Sequence, residues 1–416
     1  MKKIYPIVLI GFLALLLISC SSSRTSGDKA PAKSYTEAEE IQTLEYNTTL
    51  GFSPDGELFL PIANNTIQVL NLEKEDVENT IDADKSVLAG KKALWSKSGD
   101  SFILGDSFYT PRELVLMRSE NIRRFTLDED KGKRITREDV ETGFIKGGAL
   151  IYSPSWSADG KSVIYSVIND EEVRVVKADL ESGDTEVLYD THDRSDCTQA
   201  VELTDGLLLC EVNGNKAGDN EIFLYDVKKD EETELEDVID ENRDDRWAIY
   251  EIKDLSEDRR TVLINKYISL HNEMRGSMAL AKCIILKFDQ RFKSYTVETI
   301  SFGITADGEV ESEYNSELIW DDAPNRLGYS ATLSPDGSFI VTREDEISEG
   351  NVTESKRQLV LHNLNTGKQH ILYEADEPEV FGIGSPLNGN CEPIFINKNG
   401  LMAVWFVDGY RIFELK

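Results

Sequence analysis

The chain has little cysteine, five residues in 416, and only four histidines, which limits both disulfide frameworks and histidine-based metal or acid–base sites. The cysteines stand singly at Cys20, Cys197, Cys210, Cys283 and Cys391, with no CxxC pair and no spacing that fits a metal-ligand cluster or a disulfide scaffold. His192, His271, His362 and His370 are equally scattered. Positive charge is scarce too: 45 Lys and Arg against 77 Asp and Glu leave a net charge of −32. Such a surface repels nucleic acid and anionic head groups, so nucleic acid is excluded as a partner. After residue 20 no apolar run reaches the ~20 residues that a spanning helix needs. Glycine loops that follow a strand and open a helix around a phosphate are missing. Asp128–Gly132 begins the spacing of a calcium loop but lacks its third ligand and terminal glutamate. Gly328-Tyr329-Ser330-Ala331 has the look of a nucleophile elbow, yet it runs into the turn at Ser334 rather than into a helix. No cofactor and no catalytic set is expected, and the chain reads as a non-enzyme.

What is present starts at the first residues. Lys2 and Lys3 precede an apolar run from Ile4 to Ile18 that is too short to span and is interrupted by Pro6 and Gly11. It ends in Leu17-Ile18-Ser19-Cys20, which resembles the lipobox of bacterial lipoproteins: apolar at −3, small at −1, cysteine at +1. That resemblance implies a signal peptide over 1–19, cleavage before Cys20 and acyl chains on Cys20 that moor the protein to a membrane. Ser21, in place of aspartate after the cysteine, implies the outer rather than the inner membrane, with the protein facing the periplasm or the cell surface. Residues 20–37, rich in Ser, Lys, Ala, Gly and Pro, form a flexible tether.

Beyond the tether the chain repeats. Ser53-Pro54-Asp55-Gly56, Ser157-Ala158-Asp159-Gly160 and Ser334-Pro335-Asp336-Gly337 are the clear copies. Weaker ones start at Ser96, Leu203 (ending Asp205-Gly206), Ser256 and Asn397. The chemistry is that of a tight hairpin turn: proline presets φ, aspartate bonds nearby backbone, and glycine accepts positive φ. Asp55, Gly56, Asp159, Gly160, Asp205, Gly206, Asp336 and Gly337 are therefore assigned to turns, and the aspartates to local backbone bonds rather than to calcium or catalysis. An apolar strand follows each copy, and third strands recur as Ile67–Leu72, Ile222–Val227 and Leu359–Leu364. Glu181–Tyr189 aligns with Asn365–Tyr373 as a glycine turn followed by a fourth strand.

Four strands per repeat at such spacing predict an all-β propeller over 38–416, with seven blades, or six if a weak copy is misread. After Gly400 the chain lacks a fourth strand, while Glu40–Tyr46 is surplus at the other end. Pairing of the two terminal strands would close the ring and remove an exposed edge. The Ser-Pro-Asp-Gly turn, its apolar strand and the Asn/Asp-Leu strand end resemble the TolB-type propeller repeat. That resemblance implies a periplasmic fold that binds proteins or peptides at a channel mouth, and the expected partner is an envelope protein or peptide. The lipobox and the lack of a preceding α/β domain depart from TolB itself. Sixteen residues after the last motif leave no room for the hydrolase domain that accompanies such repeats in prolyl-oligopeptidase-like proteases.

Function is expected in the longer connections: Thr126–Ile151, Ile268–Ala279 and Gly303–Leu327. The alternative is an envelope hydrolase or lyase with a carboxylate or metal site at the channel mouth. Acidic Asp226–Arg246 reads as a solvated loop, Lys266–Lys293 as a basic strand pair or contact surface, and the five tryptophans as packing between blades.

Overall fold

In this computed structural model the described residues are 34–46, 49–64, 66–82, 93–104, 121–127, 133–136, 150–168, 173–191, 197–212, 221–235, 248–269, 278–302, 326–348, 351–375, 394–406 and 409–416. The expected signal segment, Cys20 and most of the expected tether lie outside them, as do Cys391, His192, His271, Trp247, Trp320 and the Asp128–Gly132 run.

Every regular element among the described residues is a β-strand, and the strands fall into four-stranded antiparallel units. Successive units span 49–82, 94–136, 150–191, 197–234, 248–301 and 326–375. A further unit combines Phe395–Ile396, Leu401–Phe406 and Gly409–Leu415 with Ala38–Leu44 as its fourth strand. The fifth and sixth units share one eight-stranded sheet through a single pairing, Leu280 with Gly328. The fold is a β-propeller, closed by pairing of the N- and C-terminal strands, with Ala38 opposite Leu415 and Leu44 opposite Tyr410.

The packing follows from the period of two. In the second strand of the fourth unit, Leu208 and Cys210 face the third unit while Leu209 faces the fifth. Both faces of the strand are covered, so Leu207-Leu208-Leu209-Cys210 reads as a continuous apolar run. Apolar clusters of this kind fill each seam between consecutive units. One more joins Phe395, Ala403, Tyr410 and Ile412 of the last unit to Phe52, Phe59 and Leu70 of the first, so the ring has no open seam.

The two ends of the ring differ. First-to-second and third-to-fourth strand turns share one end and are tight, as at 53–57, 157–161 and 334–338. Second-to-third and unit-to-unit connections leave from the other end and include the long runs 105–120, 137–149, 302–325 and 376–394. The expected insertions are narrower than the sequence suggested. Ile268 pairs with Ala279 and Ser269 with Met278, so these positions extend a strand pair, and Arg326 and Leu327 already belong to a first strand. The run Thr126–Ile151 likewise contains a fourth strand, Lys133–Thr136. Glu231–Glu234 of the acidic stretch forms an exposed outer strand, not a loop, while 236–246 lies outside the described residues. Lys266 and Lys282 face each other across a strand pair.

Candidate functional site

The turn motif builds the tight-turn end. Ser157 Oγ donates to Asp159 Oδ1 at 2.5 Å, and Asp159 Oδ1 accepts the Lys161 N–H at 3.0 Å. Ser157 Oγ also accepts the Ser162 N–H at 2.9 Å, and Gly160 stands at φ +73°. Asp55 and Asp336 repeat the arrangement, with Asp55 accepting Glu57 N–H and Asp336 accepting Ser338 N–H, ahead of Gly56 and Gly337 at positive φ. Asp205 differs. Its connection is two residues long, and Asp205 Oδ2 accepts from Lys228 Nζ at 2.6 Å in the adjacent turn, while Gly206 N–H goes to Glu202 Oε1. In the copy at Ser96 the carboxylate has moved one place beyond the glycine. Hydroxyls of Ser98 and Ser96 donate to Asp100, which holds its carboxyl below the usual range.

Between units, buried polar groups are spent on backbone. Glu202 accepts the Ala158 N–H of the preceding unit at 2.7 Å and pairs with Lys177 at 3.2 Å. Glu211 accepts the Ile252 N–H at 2.8 Å, and Asp254 accepts the Leu333 N–H at 3.1 Å, each from the following unit. Ser155 donates to Ala200 O across the seam that Glu202 also bridges, and Thr332 donates to Ile394 O across a further one. Trp156 Nε1 donates to Leu94 O at 2.7 Å, so this tryptophan packs between units as its type suggested. An unpaired backbone donor at such a seam would cost about 1–3 kcal/mol, which these carboxylates prevent.

Arg259 was not singled out by its sequence. It occupies the glycine position of the fifth turn, at φ +57°. Its guanidinium donates to Glu202 O, to Trp156 O at 2.9 Å and to Ser157 O at 3.0 Å, tying the fifth unit to the fourth and third. Burial lowers its pKa, while the charges of Glu202 and Asp159 act the other way.

One group has the residue types of an acid–base set. Thr342 and Glu344 on the second strand of the sixth unit share a face with His362 on the third. His362 Nε2 lies 2.9 Å from Glu344 Oε1 and 2.8 Å from Thr342 Oγ1, and Thr342 donates to the same carboxylate oxygen. This face packs on the fifth unit, where burial, and secondarily the charge of Glu344, pushes the Cys283 thiol up. A hydroxyl, an imidazole and a carboxylate could serve nucleophilic chemistry. Here the imidazole and carboxylate side chains are 5% and 0% exposed, so no substrate reaches them. Ser330 also lies inside a first strand with its hydroxyl buried, which gives Gly328–Ala331 a structural role. Among the described residues no three His, Cys, Asp or Glu side chains are grouped to hold a metal ion. Cys210 and Cys283 are buried and stand outside any disulfide.

No protein-family model and no curated protein matches the chain. Solved structures do. An oligogalacturonate lyase in complex with manganese superposes with a TM-score of 0.56 at 11% identity, covering 92% of this chain and 99% of that one. An oligogalacturonate lyase from Vibrio parahaemolyticus gives 0.56 at 12% identity over 90% and 91% of the two chains. The Cps50 (Swd1) β-propeller domain of Myceliophteria thermophila gives 0.52 at 11% identity over 91% and 100%. At these identities the likeness is one of fold, shared by lyases and by other propellers alike.

Proposed function

We propose that the chain is a lipid-anchored cell-envelope protein whose propeller holds a protein or peptide partner without catalysing a reaction on it. The observation that carries this reading is how the buried carboxylates are used. Glu202, Glu211 and Asp254 each accept a backbone N–H of a neighbouring unit, so they serve ring rigidity rather than proton transfer. A rigid ring whose long connections all leave from one end is suited to presenting a recognition surface. The connection 302–325 at that end carries Asp307, Glu309, Glu311, Glu313, Glu317, Asp321 and Asp322 with no Lys or Arg, which favours a basic partner segment. The rival reading, a hydrolase or lyase at the channel mouth, draws on the fold of the lyases alone.

The test is photo-crosslinking in intact envelopes from position 64, an exposed site in a second-to-third strand connection, against position 398 in a tight turn. One stoichiometric partner captured from position 64 and not from position 398 is expected. Absence of any partner, together with turnover of an envelope glycan or peptide by the purified protein, would replace the scaffold with the enzyme.

A further inference from the structure

The chain joins the ring at a defined end. Ala38–Leu44 runs antiparallel to Gly409–Leu415, so it begins where the third strand finishes, at the tight-turn end. Lys416 clamps this junction: its carbonyl accepts Thr36 N–H at 2.7 Å and Glu37 N–H at 3.1 Å, and its own N–H reaches Glu37 O at 2.8 Å. Just upstream, Tyr35 turns inward. It is 9% exposed, its ring meets Phe339 of the sixth unit edge-on at 5.4 Å, and its hydroxyl lies against Gly400 in the tight turn of the last unit. A Cβ on Gly400 would stand 2.7 Å from that hydroxyl, so the turn is shaped to receive the ring.

From these contacts we infer that the tight-turn end of the propeller faces the membrane and the long-connection end faces away from it. This rests on the reading of Cys20 as lipidated. As a flexible chain, the fourteen residues from Ser21 to Ser34 would have a root-mean-square span of about 20 Å. A seven-residue strand is itself about 23 Å long. To bring the opposite end to the lipid, the tether would have to stretch past its preferred span and round the rim as well.

The experiment uses the full lipidated chain on vesicles of phosphatidylcholine and phosphatidylglycerol. A small fraction of lipid carries a lysine-reactive ester on its head group, and labelled lysines are read by mass spectrometry. Yields are normalised to a water-soluble form of the same ester. Lys97, Lys161, Lys293, Lys368 and Lys398 in the tight turns should be labelled several-fold more than Lys266, Lys282 and Lys356, which lie toward the opposite end of their strands. Equal labelling of the two sets, or preference for the second, overturns the orientation while leaving the anchor intact. If the chain binds these vesicles no better than its Cys20→Ala variant, the lipidation reading falls, and the orientation with it.

Discussion

Arg259 and Glu75 occupy the same left-handed backbone region, at φ +57° and +53°, for opposite returns. That region costs a non-glycine residue roughly 1–2 kcal/mol. Glu75 is exposed in the first third-to-fourth strand turn. Glu75→Gly should therefore stabilise the protein by up to about 1 kcal/mol, the relief being partly offset by the extra freedom of glycine in the unfolded chain. Arg259→Gly removes the same strain but also three bonds from a charged donor to carbonyls, each worth about 1.5–3 kcal/mol when made. It should lower stability by roughly 2–4 kcal/mol. Urea midpoints of the two variants measured side by side check both signs, and a stabilised Arg259→Gly would show that the three carbonyls do not need the guanidinium. The sequence marked Arg259 only as a departure from glycine in a weak copy of the motif. Its acceptors lie 57, 102 and 103 residues away, a distance at which no local pattern speaks.

At the scale of the element, a side-chain oxygen at the end of the third strand organises the next turn. Asp179 Oδ1 accepts the N–H groups of Glu181 and Ser182 at 2.9 and 2.7 Å, and Asn71 and Asn363 do the same for their own turns. The Ser182 N–H, followed by that of Glu181, holds the Asp179 carboxyl below its ordinary value. Asp289 is lowered in the same way, first by the Lys293 N–H. A carboxyl with a lowered folded pKa binds fewer protons folded than unfolded across that interval. Its contribution is complete above the unfolded pKa of about 3.9 and is lost as pH falls through the folded value. Asp179→Asn keeps the acceptor and drops the charge. Stability at pH 7 should stay nearly constant and the loss of stability below about pH 4 should be shallower, as read from thermal melts between those pH values. An unchanged acid limb would show that Asp179 titrates alike in both states. Turns of this kind were legible in the sequence because their hydrogen bonds span two to five residues, and so were the four-strand repeat and the terminal pairing. The Glu202, Glu211 and Asp254 bridges and the Thr342–Glu344–His362 group were not. Each depends on which strands the ring places side by side, and that adjacency is a property of the assembled sheets.

Closure is a property of the whole molecule, and it rests on few residues. Ala38–Leu44 covers the edge of Gly409–Leu415, Leu44 packs into the seam between the last and first units, and Tyr35 packs into the one before. Burying two such side chains contributes roughly 3–6 kcal/mol, a large share of the net stability of a typical fold. Gly409, at φ +131°, lets the strands meet: a Cβ there would stand 2.3 Å from the Leu44 carbonyl oxygen. Gly409→Ala should therefore lower the melting temperature by pushing the closing strand away, without touching any seam among the first six units. Removing the chain through residue 46 goes further and exposes a strand edge whose unpaired N–H and C=O groups invite a second copy. The truncated protein should melt earlier and associate with rising concentration, as followed by calorimetry and light scattering. A synthetic peptide of residues 35–46 added in trans should restore the monomer and raise the melting point, because it supplies the missing strand together with Leu44 and Tyr35. A truncated chain that stays monomeric at the full melting temperature would mean that the other seams hold the ring without its clasp. Rescue by the peptide, and failure of rescue when Leu44 in it is replaced by Asp, would locate the closing energy in the strand and the side chain it buries.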